Sequence, residues 1–519
     1  MSDGRIQPSL DNLQGQTRGY PAVNVYLSLD AKVRDPLELF SVLKGMSRHC
    51  FILESLEDRT RTGRYTFLGY DPKACVTYQG GILHVVNGID IKTTTLDPAA
   101  TISKMIESYR CPRQEGLPPF TGGLVGYFAY DYIACLEPRL TLTRNDAEGF
   151  KDIDLMLFDR IVAYDHLEEK ILLIATIKTD ALEQNYALAA HELASLAELV
   201  VKGKMSHAEP LRITGAFDEL FSEESYRKMV CQAKRHITDG DIFQVVLSNR
   251  LTASATGSLF ETYGMLRKTS PSPYQFYFAS EAIEMAGASP ETLVKLESGV
   301  VETFPLAGTR PRGRSAQEDA QRETELLQDE KELAEHNMLV DLGRNDIGKV
   351  SRFGTVKVTR YLNVLRFSHV MHIGSTVQGK LAEGKSVLDV LGAVLPAGTL
   401  SGAPKLKACE IIDRLEDNRR GIYGGAIGYL AFNGNMDTCI AIRLVFKKQG
   451  RIFVRSGAGI VADSDPASEY RECRHKMQAV LDALESVGAM AGVQNAPNTN
   501  GKCLTCDKMA RKMTQENAR

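Results

Sequence analysis

Two hydrophobic periods take turns along the chain. From residue 20 to about 180, short β-branched and aromatic runs alternate with turn residues: VNVYLSL from Val23, CFILES from Cys50, RYTFLGY from Arg64 and KILLIATI from Lys170. Gly80-Gly81 and Asn87-Gly88 punctuate them as hairpin turns. This pattern predicts a mostly antiparallel β region. The period then becomes helical: Leu182, Ala189, Leu193, Leu196, Leu199 and Val200 form one stripe and predict a helix over about 181–201. Residues 202 to 220 have no period and read as a linker between two lobes. A helix is predicted from Ser222, with Tyr226, Met229, Val230, Ala233 and Ile237 on one face, and the strand IFQVVLSN follows it. Strands and helices alternate from there to about residue 490. YGGAIGYLAF at 423–432, TCIAIRLVF from Thr438 and RIFVRSGAGI from Arg451 read as adjacent antiparallel strands. The predicted division is an arm (1–19), an N-terminal lobe (20–201), a linker (202–221), a second lobe (222–490) and a polar tail (491–519).

Composition narrows the class. A length of 519 residues with 43% apolar and 24% charged residues is ordinary for two or three globular domains. A net charge of -3 provides no global field for nucleic acid or an anionic membrane, so neither is expected as a partner. No stretch approaches eighteen uninterrupted apolar residues, and the polar start MSDGRIQPSLDN lacks a signal-peptide pattern. The expectation is a cytoplasmic protein with reduced cysteines. Cys503 and Cys506 form a C-x-x-C without a second pair or a nearby histidine, in a polar basic tail, so an irregular tail is the better reading.

Candidate chemistry sits mostly in the second lobe. A helix is predicted from about Asp329 to Leu342, and three-residue spacing puts Glu332 and Glu335 on one face. EYRECRHK repeats the device with Glu469 and Glu472, on a helix predicted over about 466–487. One Glu-x-x-Glu is a common solvated face. Two of them, each in a helix near the end of a Gly-rich stretch, read as opposed walls of a divalent cation site, and magnesium suits such oxygen ligands. PLAGTRPRG (305–313) is either a tight turn or, at bare Gly308, a place where an anion or ring meets the main chain. In RFSHVMHIGS, alternation puts Ser368, Val370 and His372 on one face and His369, Met371 and Ile373 on the other. A histidine facing a metal-carboxylate site is a candidate acid or base. PAGTLSGAPK offers amides and the Thr399 and Ser401 hydroxyls before a helix, without Walker spacing, and RSGAGIVADS offers a second glycine pair, Gly457 and Gly459. Tyr423 and Arg443 on flanking strands can meet a carboxylate. Together these parts describe a small, doubly anionic substrate.

DEKELAEHNMLVDLGRND, PLAGTRPRG, SHVMH, GTLSGAPK, the YGGAIGY and DTCIAIR pair, and SGAGIVADSDPASEYREC resemble the motifs of the chorismate-utilising enzymes, in particular their anthranilate-forming branch. The catalytic match covers roughly residues 222–487, and the N-terminal lobe resembles the regulatory region. The resemblance implies an α+β fold of two large, orthogonally packed antiparallel β-sheets with outer helices. It implies magnesium on Glu335 and Glu472, with Glu332 and Glu469 in support. Tyr423, Arg443 and the Gly459 amide would hold the enolpyruvyl carboxylate, beside the open amides of Gly457, and the ring carboxylate would lie near Gly308 and Thr309. His372 is similar to the family's acid for the departing ring hydroxyl, with Glu291 orienting it and Thr399 close by. The implied reaction adds ammonia to chorismate, giving an amino-deoxy-isochorismate, then eliminates pyruvate to leave anthranilate, the first committed step toward tryptophan.

Two positions separate the branches. Ala307 stands where para-aminobenzoate-forming members often carry a nucleophilic lysine, and Gln244 where isochorismate-forming members carry a lysine base. A para-aminobenzoate enzyme and a non-catalytic chorismate or tryptophan sensor are the rival readings; Ala307 disfavours the first and the intact Glu335, Glu472 and His372 the second. The resemblance further implies a separate glutamine amidotransferase subunit supplying ammonia, a heterotetramer, and feedback inhibition by L-tryptophan. The inhibitor site would comprise Leu53, Glu54 and Ser55 with Pro271, Ser272, Pro273, Tyr274 and Gln275; Ser270 and Gln275 replace the family's asparagine and methionine. Loss of the thioether is expected to weaken packing on an indole ring.

Overall fold

The computed structural model describes residues 5–13, 15, 17–56, 63–142, 145–146, 148–366 and 370–494, with side chains through residue 489. His369 and the Cys503/Cys506 pair lie outside the described residues.

Two antiparallel sheets, of 13 and 12 strands among the described residues, carry the chain. Three large apolar cores define four layers. A phenylalanine-rich core joins Phe51, Phe67, Phe276 and Phe446 of the first sheet to Tyr127, Phe158 and Tyr429 of the second, so it lies between the sheets. The outer face of the first sheet packs on the helices Leu182–Lys202, Glu223–Thr238 and Pro466–Gln494, and that of the second on Pro98–Ser108 and Val387–Val394. Successive side chains of a strand therefore enter different cores. In Cys50–Glu54, Cys50 and Ile52 point to the helices while Phe51 points to the other sheet. Burial on both faces is why these strands read as near-continuous apolar runs rather than alternating ones.

Both sheets draw strands from both predicted lobes. Cys50–Glu54 pairs with Tyr274–Ala279 in the first sheet, and Gly123–Phe128 pairs with Ala426–Ala431 in the second. The expected linker is knitted in as well: Arg212–Ile213 and Asp218–Glu219 pair with the long strand Gln244–Thr256. Two further expectations are corrected. TCIAIRLVF is not one strand. Met436–Ile440 belongs to the second sheet and Leu444–Lys448 to the first, and the chain crosses between them at Arg443, whose φ is +50°. The helix expected to end near Leu342 runs from Glu330 to Gly348. Its extra turn is held by tertiary contacts, with Ile347 in the core and Asp346 paired to Lys405 Nζ at 2.7 Å, which override the helix-weakening Gly343.

A buried charge cluster locks the floor beneath the site. Glu416 ends the helix Lys405–Glu416, and its side chain is 0% exposed. Its Oε1 accepts from the Ser248 amide at 2.8 Å and from Arg420 Nη2 at 2.6 Å, and its Oε2 accepts from Arg455 Nη2 at 2.8 Å and Arg420 Nε at 3.0 Å. Arg420 also donates to the Leu400 and Val246 carbonyls, and Arg455 to Ser248 Oγ, Asn418 and the Arg419 carbonyl. Removing the carboxylate charge strands two buried cations. Glu416→Gln is expected to lower unfolding free energy in urea by about 3–5 kcal/mol. Glu410→Gln, which removes an exposed partner of Lys407 on the same helix, is expected to change it by less than about 0.5 kcal/mol.

Candidate active site

A cleft of about 750 Å³ opens above this floor. It is lined by Glu291 at the entry to the strand Thr292–Glu297, by Gly308 and Thr309 of Leu306–Pro311, by His372 of Val370–Lys380 and by Thr399 of the loop after Val387–Val394. Tyr423, Arg443, Gly457 and Gly459 line it from the other sheet edge. The helices Glu330–Gly348 and Pro466–Gln494 contribute Glu332, Glu335, Glu469 and Glu472 from their first turns. All the residues expected for catalysis, substrate and metal thus meet in one cavity.

Local geometry explains several of them. Pairing between Leu306–Pro311 and Val370–Lys380 slips between Ala307 and Thr309, and Gly308 takes up the bulge with φ +68°. That bulge turns the Gly308 carbonyl toward His372, whose Nδ1–H donates to it at 2.9 Å, while Thr309 Oγ1 lies 3.1 Å from the same nitrogen. With Nδ1 committed, Nε2 is the ring nitrogen that can exchange a proton with a substrate. Gly457 is bare for a different reason: a Cβ there would sit 2.6 Å from the Leu247 carbonyl and 3.0 Å from the Tyr423 hydroxyl. The crossover that places Arg443 between the sheets brings its side chain into the lining of the cleft, where burial lowers its pKa.

Burial pushes the His372 pKa below its ordinary value, and Arg443 pushes it the same way; the Gly308 carbonyl and Glu332 oppose them. Burial pushes the Glu291 carboxyl up to about 7, against the Thr399 hydroxyl that donates to its Oε1 at 2.9 Å and the charges of Lys476 and Arg443. Glu291 thus pairs with Thr399, and Glu332 is the carboxylate that favours a charged His372. A carboxyl raised to about 7 and an imidazole in one cleft are suited to proton transfer.

The acidic walls face one another electrostatically. Partial burial raises the Glu335 pKa, and the charges of Glu332 and Glu472 raise it further, with Lys331 opposing. Glu469 is raised by burial and by Glu472. Among the described residues no three His, Cys, Asp or Glu side chains form a ready-made metal cluster. Crowded carboxylates on two walls fit a hard cation that takes few protein oxygens and completes its shell with water and substrate oxygens. Glu332 is held by Arg310 Nη1 at 3.2 Å, and Glu472 pairs with Lys476 Nζ at 2.7 Å. Lys476 is the residue that sequence reasoning missed: it lines the cleft and also donates to the Gly457 carbonyl at 3.2 Å. Its four-residue spacing from Glu472 was the available signal. His336, beside Glu335 in sequence, is buried and bonded through Nε2 to Ser375 Oγ at 2.6 Å.

The residues expected to bind an inhibitor divide between two cavities. Leu53, Glu54, Ser55, Tyr274 and Gln275 line a smaller cavity of about 70 Å³, Pro271 and Ser272 line the main cleft, and Pro273 lines both. Glu54 is already engaged: its Oε1 accepts from Arg267 Nε at 2.7 Å and from the Tyr263 hydroxyl.

A dianion-sized cleft with carboxylate walls, a guanidinium and two proton-exchanging groups, on a pair of large antiparallel sheets, has a counterpart among known families. The family described as chorismate binding enzyme matches residues 48–482, and the chain belongs to it. Among curated relatives, the anthranilate synthase component 1 of Acetivibrio thermocellus is 42% identical over 93% of this chain and 99% of its own length. That of Aquifex aeolicus is 39% identical over 92% of this chain and 97% of its own length. The crystal structure of anthranilate synthase component I from Streptococcus pneumoniae superposes with a TM-score of 0.69 at 36% identity, covering 82% of this chain and 93% of that one. The menaquinone-specific isochorismate synthase of Escherichia coli shares the fold, with a TM-score of 0.66 at 19% identity over 92% of this chain and 98% of that one. No helix among the described residues is long and apolar enough to cross a membrane.

The raised Glu291 pKa has a consequence for stability. Its folded-state value, about 7, exceeds the ordinary 4.5, so the protonated form contributes stability below about pH 4.5 that is lost as pH rises through 7. Glu291→Gln is expected to remove this loss, worth up to roughly 3 kcal/mol, so that thermal melts of wild type and variant converge at low pH and separate, with the variant higher, above pH 7.

Proposed function

We propose that the chain is the aminating subunit of an anthranilate synthase, converting chorismate and ammonia to anthranilate and pyruvate. The observation that carries this reading is the meeting, in one cleft, of both Glu-x-x-Glu walls, Arg443, Tyr423, His372 and Glu291. The relatives that span almost the whole chain are anthranilate synthase components, which supports it.

In this reading Arg443, the Tyr423 hydroxyl and the Gly459 amide bind the enolpyruvyl carboxylate. The ring carboxylate lies by Gly308 and Thr309, between the glutamate walls. Glu335 and Glu472 would hold magnesium, with Glu332 and Glu469 orienting its waters; when bound, the ion neutralises the ring carboxylate and draws electron density from the ring. Burial and Arg443 keep free His372 largely neutral. Binding a dianion offsets the Arg443 charge and raises the imidazole pKa, so His372 gains its proton in the complex and donates it from Nε2 as the ring hydroxyl leaves. Glu291, hydrogen-bonded to Thr399, lines the same cleft and can exchange a proton near neutrality. Ala307 supplies no nucleophile and Gln244 no base, so ammonia itself adds to the ring. Elimination of pyruvate, with the proton of the aminated ring carbon lost and one taken up by the departing enolpyruvyl group, then makes the ring aromatic.

The reading carries three further parts. A separate glutamine amidotransferase subunit supplies the ammonia, in a heterotetramer, in keeping with the word "component" in the relatives' names. L-Tryptophan inhibits from the smaller cavity, which shares Pro273 with the cleft. The setting is cytoplasmic, as suits eight described cysteines that are all unpaired.

Chorismate, magnesium and ammonium at alkaline pH are expected to give fluorescent anthranilate, read without background because the chain has no tryptophan. Absence of anthranilate would refute the proposal, and para-aminobenzoate appearing only after addition of a lyase would move the chain to the other branch. His372→Ala is expected to keep chorismate affinity within a few-fold and lose about 10²–10⁴ in kcat. Unchanged kcat would remove His372 from the chemistry.

A further inference from the structure

Arg310 ties the strand that carries Gly308 and Thr309 to the helix that carries Glu332 and Glu335. It follows those two residues on Leu306–Pro311 and pairs in register with Met371, as Thr309 does with His372. Its Nη1 donates to Glu332 Oε1 at 3.2 Å and to the Thr309 carbonyl at 2.9 Å, and its Nη2 donates to Asp329 Oδ2 at 2.7 Å. Asp329 is the N-cap of the helix Glu330–Gly348, and its other oxygen, Oδ1, accepts from the Lys331 and Glu332 amides at 3.1 and 3.2 Å. The guanidinium therefore grips the start of the helix twice, at the cap and at the glutamate. Strand and helix also meet closely: a Cβ at Gly308 would lie 3.3 Å from Glu332 Oε2. Glu332 thus rests against the bare backbone of the bulge whose carbonyl holds His372. The side chains of Arg310, Asp329 and Glu332 are only 27%, 32% and 24% exposed. A lysine would supply the same charge, but a planar fork of fixed donors sets an angle as well.

We infer that Arg310 is a positioning residue for the metal wall: by gripping Glu332 and the helix cap together, it sets Glu332, and through the first turn Glu335, against Gly308 and Thr309. The inference rests on the proposed reading of these carboxylates as a magnesium wall and deepens it. A counter-ion and a positioning residue predict opposite signs. A positive charge beside a cation site repels the cation, so removal of a mere counter-ion tightens magnesium binding. Removal of a positioning residue weakens it, because Glu332 and the helix start lose their fixed place against the strand.

The test is calorimetric titration of magnesium into the full chain with chorismate present and ammonium absent. Arg310→Gln is expected to weaken magnesium binding roughly ten-fold or more. Arg310→Lys, which keeps the charge and loses the fork, is expected to weaken it several-fold. Arg344→Gln removes an equal charge from the exposed side of the same helix, where Arg344 pairs with Asp341 at 2.8 Å. Solvent and salt screen that charge, so this variant is expected to stay within about two-fold of the native affinity. Tighter or unchanged magnesium binding in Arg310→Gln overturns the inference, and so does native affinity in Arg310→Lys. The lysine variant retains the cation that Asp329 and Glu332 face, so the comparison stands even if the glutamine variant does not fold. A native chain that makes anthranilate without binding magnesium overturns this inference alone. A native chain that binds magnesium with chorismate, loses that binding in Arg310→Gln, and makes no anthranilate refutes the proposed activity and leaves the inference in place.

Discussion

The buried pairing of Glu416 with Arg420 and Arg455 is the constraint on which the site depends. One carboxylate gathers the strand Gln244–Thr256 through Ser248, the strand Arg451–Ile460 through Arg455, and the loop leading to Tyr423 through Arg420. Arg420 also reaches the Leu400 carbonyl and lies 4.6 Å from the Tyr130 ring centroid. The loop with Thr399, the Tyr423 hydroxyl and the glycines 457 and 459 are thereby fixed relative to one another before any ligand arrives. A buried ion pair is seldom chosen for stability alone, because desolvation offsets much of its Coulombic gain. Here both carboxylate oxygens accept from the arginines or the Ser248 amide, every guanidinium nitrogen donates at least once, and the return is a rigid floor on which a carboxylate can be oriented.

The opposite wall is arranged differently. Glu332, Glu335, Glu469 and Glu472 sit near the starts of two helices; burial and the charges of Glu332 and Glu472 raise the Glu335 pKa, burial and Glu472 raise that of Glu469, and Lys331 and Lys476 oppose both. Such a wall is electrostatically unfinished where the floor is complete. A cation and an anionic substrate finish it together, which makes the two ligands mutually dependent. The His372 imidazole lies between floor and wall, answering to Arg443 on one side and Glu332 on the other, so its protonation follows the state of the cleft.

Much of this was legible in the chain. Glu332 with Glu335, and Glu469 with Glu472, declare themselves by helical spacing, and Gly308, His372, Thr399 and Arg443 sit in short segments whose composition is unusual on its own. The strands were legible as apolar runs, but their partners were not, because pairing such as Cys50–Glu54 with Tyr274–Ala279 joins residues hundreds of positions apart. The crossing at Arg443 was hidden because both halves of TCIAIRLVF are apolar and β-branched, and nothing local marks the change of sheet. Nothing local distinguishes Glu416 from a solvated helix end, because its burial depends on Arg455 of a distant strand as well as on Arg420. Lys476 looked like a solvated partner of Glu472, and only the fold brings it against the Gly457 carbonyl.

The central claim is that floor and wall act as one site through a shared cation and substrate. Its most direct test is calorimetric titration of chorismate into the chain across a series of magnesium concentrations. The account predicts that chorismate affinity rises with magnesium, and that magnesium affinity rises by the same factor when chorismate is present. Chorismate affinity independent of magnesium would contradict it, because the carboxylate walls would then take no part in holding the substrate.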